Sequence, residues 1–244
     1  MKFIFTIFTV VALLVGNQIG FAQGFVNLDF ESVNISGYSP RSQIPVSDGL
    51  PGWTALFVSS TGTNFASQVL FDGISLGGAG ISINDSSLYP GFVPFQGSYC
   101  ATLFGGPFIG PTLVSAEISQ TGLVPVGTQS LLVDIQQSGP PFFVVFLGGQ
   151  VINMIPLQAF ANYTVYGGDV SSFAGQVATL TFAQPAPPSN PPSGVLLDNI
   201  QFSSSSVPEP SEFALTALGA LLLGCRRWKG FHKEPASTAA RKSP

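Results

Sequence analysis

Positive charge is almost missing from the long central part of this chain. Between residues 23 and 206, Arg41 is the one basic residue and stands against nine carboxylates. That segment carries a net −8, whereas the whole 244-residue chain sums to −4. A nucleic-acid partner needs a basic footprint to displace counterions, so that class is excluded. The single histidine, His232, lies near the C-terminus, so neither a Ser-His-Asp nor a Cys-His arrangement can form in the central segment. A histidine-ligated catalytic zinc is excluded for the same reason, and the absence of lysine there removes Schiff-base chemistry. Cysteine is scarce too. Cys100 and Cys225 form no disulfide framework, and Cys100, within an apolar run, reads as a small buried hydrophobe. A two-carboxylate glycosidase is the one catalytic class left, and nine acids allow some such pair in almost any fold. The expectation is that the protein is not an enzyme.

What is present is apolar residues at 45%, with 28 Gly, 20 Pro and 22 Phe, a mixture that suits short strands joined by turns and argues against disorder. At the N-terminus, Met1-Lys2, the uncharged run 3–15 and Gly20-Phe21-Ala22 read as a secretory signal peptide cleaved after Ala22. Residues 23–206 are then long enough for one domain with a sizeable core.

Toward the C-terminus comes Val207-Pro208-Glu209-Pro210-Ser211, then Glu212, an uncharged run over 213–225, and Arg226-Arg227-Trp228-Lys229. The prolines keep the first part extended, and Ser211 can cap the helix that follows. The apolar run is shorter than the roughly 20 residues of a standard membrane span, and the basic cluster reads as cytoplasmic. This order of features resembles the PEP-CTERM sorting domain of exported proteins in Gram-negative bacteria. The resemblance rests on Pro208, Glu209, Pro210, Ser211, the Ala/Leu/Gly span and the pair Arg226 and Arg227. It implies a single transmembrane sorting helix, an inner-membrane intermediate and processing by a membrane exosortase. Delivery to the cell surface or extracellular matrix, and a link to exopolysaccharide and biofilm, are also implied. The family usually stops just after its arginines, whereas this chain runs on to Pro244. The expected organisation is a signal peptide (1–22), an ectodomain (23–206), a sorting signal (207–229) and a cytoplasmic tail (230–244).

Alternation predicts about ten short strands in the ectodomain and no convincing helix. They cover 25–31, 53–59, 67–71, 98–104, 113–119, 129–136, 142–147, 150–154, 160–166, 176–183 and 194–202. The strongest hairpin signal is Gly148-Gly149 between two apolar runs. Turn signals at close intervals point to an all-β sandwich of jelly-roll type. Asn27-Leu28-Asp29-Phe30-Glu31, Gln96-Gly97-Ser98-Tyr99-Cys100-Ala101 and Leu197-Asp198-Asn199-Ile200 are similar to patterns of the galactose-binding-like jelly rolls among carbohydrate-binding modules.

Asp198 falls on the apolar face of the last strand, where an ionised carboxylate needs a partner. The resemblance implies a structural calcium held by Glu31 and Asp198, which suits an oxygen-seeking cation. The alternative is that Asp198 accepts hydrogen bonds from neighbouring loop backbone while Glu31 is solvated. For sugar binding, aromatic faces beside hydroxyl-bonding polar groups are needed. Trp53 and Tyr89 are candidates, together with Tyr38, Tyr163 and Tyr166, while core packing is the competing role for Trp53. The leading reading is a non-enzymatic surface or matrix protein, and the alternative is a carbohydrate-binding module. An exposed aromatic strip beside Asn and Gln would favour the alternative.

Overall fold

The computed structural model describes residues 23–73, 78–85, 93–108, 112–137, 143–187 and 193–208. The expected signal peptide, the sorting residues from Glu209 onward with their membrane helix, and Tyr89 lie outside these. Among the described residues no helix is long and apolar enough to cross a membrane.

The described residues are nearly all β. In chain order the strands are β1 (Gln43–Pro45), β2 (Thr54–Ser59), β3 (Gly62–Ala66), β4 (Gln68–Phe71), β5 (Gly80–Asn84), β6 (Cys100–Pro107) and β7 (Leu113–Leu123). They continue with β8 (Ser130–Gln137), β9 (Val144–Leu147), β10 (Gln150–Ile152), β11 (Ile155–Ala159), β12 (Thr164–Asp169), β13 (Val177–Gln184) and β14 (Ser193–Ser203). One helical turn, Val46–Gly49, and one 3-10 turn, Ser171–Phe173, interrupt them.

Two sheets result. One runs β3-β2-β7-β13-β9-β10 and the other β1-β4-β5-β6-β14-β8-β12-β11, with the β6–β7 corner joining them. The β4–β5 pair is parallel and the other strand pairs are antiparallel. From β6 onward the chain passes back and forth between the sheets, a two-sheet antiparallel arrangement.

Alternation puts the core between them. In β7, Val114, Ala116, Ile118 and Gln120 are buried while the residues between them are more exposed. Ala178, Leu180 and Phe182 of β13 share the same inner face. Leu131, Val133 and Ile135 of β8, with Val195 and Leu197 of β14, close the core from the opposite sheet. Burying such side chains stabilises by roughly 1.5–3 kcal/mol each, which makes this inner layer the main support of the fold.

The expected hairpin is present: Gln150 faces Leu147, and Gly148 (φ +58°) and Gly149 (φ +79°) form its turn. Both turn positions need positive φ, which glycine adopts without steric cost. Two expectations are corrected. Residues 25–31 form no strand, because Asn27 (φ 51°) and Phe30 (φ 59°) turn left-handed and break the alternation. Asn27 holds this bend by accepting the Ser32 N–H at 2.9 Å, and Phe30 is driven into the core. Residues 160–163 are likewise a turn rather than strand, with Phe160 N donating to Tyr163 O at 2.8 Å. The extra strands β1, β3, β5 and β11 lie in stretches that carried no clean period-2 signal.

Candidate functional site

Asp198 and Glu31 act on the same loop. Asp198 sits at an irregularity in β14, where the register with β8 shifts between Asp198 and Gln201 and Asn199 adopts φ 50°. Its Oδ2 accepts the N–H of Phe95 at 2.7 Å and of Gln96 at 2.9 Å, and its Oδ1 accepts Asn199 N–H at 2.7 Å. Glu31 Oε1 accepts Ser98 N–H at 2.8 Å and Tyr99 N–H at 2.9 Å. The turn between these anchor points is Gly97 (φ +64°), where a Cβ would run into the Glu31 carboxylate. Glu31 is therefore a clamp on residues 98–99 and is not merely solvated.

Burial pushes the Asp198 carboxyl up to about 6, against the pull of its three amide bonds, and the nearby Asp134 charge adds to the rise. The two acids are register partners across β14 and β8, and Asn199 Nδ2 donates to Asp134 Oδ2 at 3.1 Å. Cys100 follows directly on the clamped loop. Burial, with the charges of Asp198, Asp72 and Glu31, drives its thiol upward, so it stays protonated and unreactive.

A carboxylate offers about four lone-pair sites, and the bonds described above fill three on Asp198 and two on Glu31. Oxygen capacity for a calcium ion remains on both residues. Among the described residues no group of three or more His, Cys, Asp or Glu side chains is placed to hold a metal, so a cation here would draw on carbonyl oxygens as well.

The aromatic candidates separate. Trp53 is 5% exposed, with its ring against Phe30 (5.8 Å between centroids) and Phe182 (6.3 Å). Its indole N–H donates to Asn27 O at 2.9 Å. The expectation of a sugar platform at Trp53 is corrected: neither ring face is open, and the residue is core. Tyr38 is engaged by its hydroxyl on Asp48 Oδ2 at 2.8 Å. Tyr166 packs edge-on against Phe143 at 5.1 Å.

Tyr163 is different. It lies in the middle of a three-ring stack, 4.7 Å from Phe95 and 4.6 Å from Phe160, with interplanar angles of 18° and 17°. The tight β11–β12 turn brings Phe160 and Tyr163 face to face, and the clamped loop brings Phe95 to the other side. Phe160 ends the stack and is 44% exposed. Beside it opens a cleft of about 310 Å³ lined by Gln136 and Gln137 of β8 and by Phe160, Asn162, Tyr163 and Thr164. That is at the small end of the roughly 300–1,000 Å³ of ligand pockets. Gln137 lines this cleft, yet both its Nε2 and Oε1 are buried without a hydrogen-bond partner. Each such unmade bond costs about 1–3 kcal/mol, a penalty that a ligand would relieve only if the amide turned from its buried position into the cleft.

Sequence reasoning named Tyr163 but missed Phe95, Phe160 and Gln137. The signal available was the spacing of Phe160 and Tyr163 around Ala161-Asn162, which fits a turn that juxtaposes two rings.

No family model and no curated protein matches the sequence. Among solved structures the chain is similar to TmCBM61 in complex with β-1,4-galactotriose, at 10% identity and a TM-score of 0.40, covering 74% of this chain and 98% of that one. It is similar to the K2 cleaved adhesin domain of Lys-gingipain at 14% identity and TM-score 0.38, covering 75% and 98%. A family 11 carbohydrate-binding module from Clostridium thermocellum, solved with a mixed-linked tetrasaccharide, follows at 12% identity and TM-score 0.33, covering 68% and 96%. Likenesses this distant define no family for the chain.

Proposed function

We propose that this protein is a non-catalytic carbohydrate-binding protein acting outside the cell, and that glycan binds at the Phe160 cleft. The observation that carries this reading is the stack Phe95–Tyr163–Phe160 ending in an exposed ring beside Gln136, Gln137 and Asn162. An aromatic face suits the apolar side of a sugar ring, and neighbouring amides suit its hydroxyls. Catalysis is not part of the proposal. Among the described residues no carboxylate lines this cleft, and Asp169 is the one described carboxylate lining another cavity of about 220 Å³, next to Val207 and Pro208. A glycosidase needs two acids facing each other across the scissile bond.

The proposed site of action rests on the signal-peptide and sorting-signal motifs read from sequence: export, exosortase processing near the Pro208–Pro210 block, an inner-membrane intermediate, and delivery to a surface or matrix rich in exopolysaccharide. Calcium belongs to the same proposal, with Glu31 and Asp198 as its carboxylate ligands. Bound there, it would neutralise buried acid charge and tighten the loop that carries Phe95. A rise in Tm with calcium that a chelator reverses supports this, and a Tm indifferent to both contradicts it.

The test of binding is mobility of the purified protein in native gels containing polysaccharides. Retardation by at least one glycan, lost in Phe160→Ala, is expected. Free migration in every glycan would overturn the reading.

A further inference from the structure

We infer that the glycan recognised at this cleft is uncharged, and that it is gripped by one sugar ring on the outer face of Phe160 with its hydroxyls read by the Gln137 amide. This rests on the glycan-binding reading above and narrows it to a ligand class.

The stacking geometry sets the number of platforms. Near-parallel neighbours at 4.7 and 4.6 Å cover both faces of Tyr163, so that ring cannot itself meet a sugar. Phe95 is covered on one face by Tyr163 and belongs to the clamped, partly buried loop. The outer face of Phe160 is left as the stacking surface, and one phenyl face matches one pyranose ring.

The polar lining sets the charge of the ligand. Gln136, Gln137, Asn162, Tyr163 and Thr164 are all neutral, and none is a cation. Gln137 brings a donor and an acceptor that are both buried and both unpaired. Neighbouring hydroxyls of a sugar, each able to donate and accept, would satisfy both atoms together once the amide turns from its buried position into the cleft. A carboxylate or sulfate set against the amide in place of a hydroxyl can only accept, so that contact would leave Oε1 unpaired. Arg41, the sole cation between residues 23 and 206, does not line the cleft; its backbone N–H is bonded to Phe71 O, next to β4. Meanwhile Asp198 holds Phe95 itself, and Asp134 stands one residue from the cleft-lining Ile135. An anionic glycan at this cleft therefore meets neighbouring acids with no cation among the described residues that line it, within the roughly 10 Å over which 0.1 M salt leaves the repulsion largely unscreened.

The experiment titrates the full exported protein with paired polysaccharides of similar backbone, one uncharged (a galactan) and one uronic (polygalacturonate), at 20 and 150 mM salt. Wild type, Phe160→Ala, Gln137→Ala and Gln137→Glu are compared, with Tm measured for each. The expected result is binding to the uncharged member that is insensitive to salt, weakened tenfold or more by each of the three substitutions while Tm stays within a few degrees. Binding of the uronic member that equals or exceeds the galactan, and is still lost in Phe160→Ala, would overturn the uncharged class while leaving the glycan site standing. Unaltered galactan binding in both Gln137 variants would overturn the role of the amide. If neither polysaccharide binds, nor any of the glycans in the native-gel panel, the glycan reading itself fails.

Discussion

Asp198 and Phe95 are joined by a 2.7 Å hydrogen bond from the Phe95 backbone N–H to Asp198 Oδ2. Through it a fully buried carboxylate of the last strand fixes the first ring of the aromatic stack. Phe95 supports Tyr163, and Tyr163 supports the exposed Phe160. Asp198 is thus a positioning residue for a cleft it does not line.

Replacing it tests that chain of support. Asp198→Asn keeps the volume but exchanges an ionised acceptor for a neutral one that still accepts at one atom. The amide NH2 of Asn would face a backbone N–H that now has an acceptor, at about 1–3 kcal/mol for an unpaired buried group. Relief of the burial that raises the carboxyl to about 6 offsets part of this, so a net stability loss smaller than that range is expected from urea unfolding. Glycan affinity should fall in the same variant. A variant with lower stability and undiminished affinity would show that the clamp serves the fold alone.

Trp53 makes the opposite prediction. Trp53→Phe retains an aromatic ring among Phe30 and Phe182 but removes the indole bond to Asn27 O. Stability should drop by more than the roughly 1 kcal/mol typical of one hydrogen bond, because the smaller ring also leaves a cavity in the core. Glycan binding measured on the folded variant should equal wild type. A selective loss of binding would return Trp53 to the list of platforms.

Glu117 should give the protein a pH slope. It lies on β7 opposite Leu56 and Ala183, half-buried, and burial raises its carboxyl above the ordinary value. A carboxyl raised on folding binds protons more tightly in the native state. Its contribution is therefore most favourable below the unfolded value of about 4.3 and declines as pH rises through the raised one. Glu117→Gln should flatten this decline and be the more stable form at pH 7, as read from urea midpoints between pH 4 and 8. A slope identical to wild type would contradict the assignment.

Much of the sandwich was legible in the sequence where period-2 alternation was clean. Leu131, Val133 and Ile135 are an example, and so are the apolar runs flanking Gly148-Gly149. Legibility failed where left-handed residues or glycine broke the period. Phe25 to Glu31 alternates on paper, yet Asn27 and Phe30 bend it. Gly80–Asn84 is buried at every position, so it shows no period-2 alternation. In Asp198 the buried carboxylate was visible as an anomaly, and its loop-backbone partners were one of two options considered. The cleft was not legible. Phe95, Gln137 and Phe160 come from a loop, the end of β8 and the turn before β12, and only the folded sheet and the carboxylate clamp bring them together.

The central claim is that the outer face of Phe160 is the seat of glycan binding. Its most direct test is a calorimetric titration of an uncharged glycan into wild type and Phe160→Ala, with matched Tm confirming that both are folded. Wild type should give an exothermic isotherm and the variant one at least tenfold weaker, about 1.4 kcal/mol of lost contact. Identical isotherms for the two proteins would contradict it.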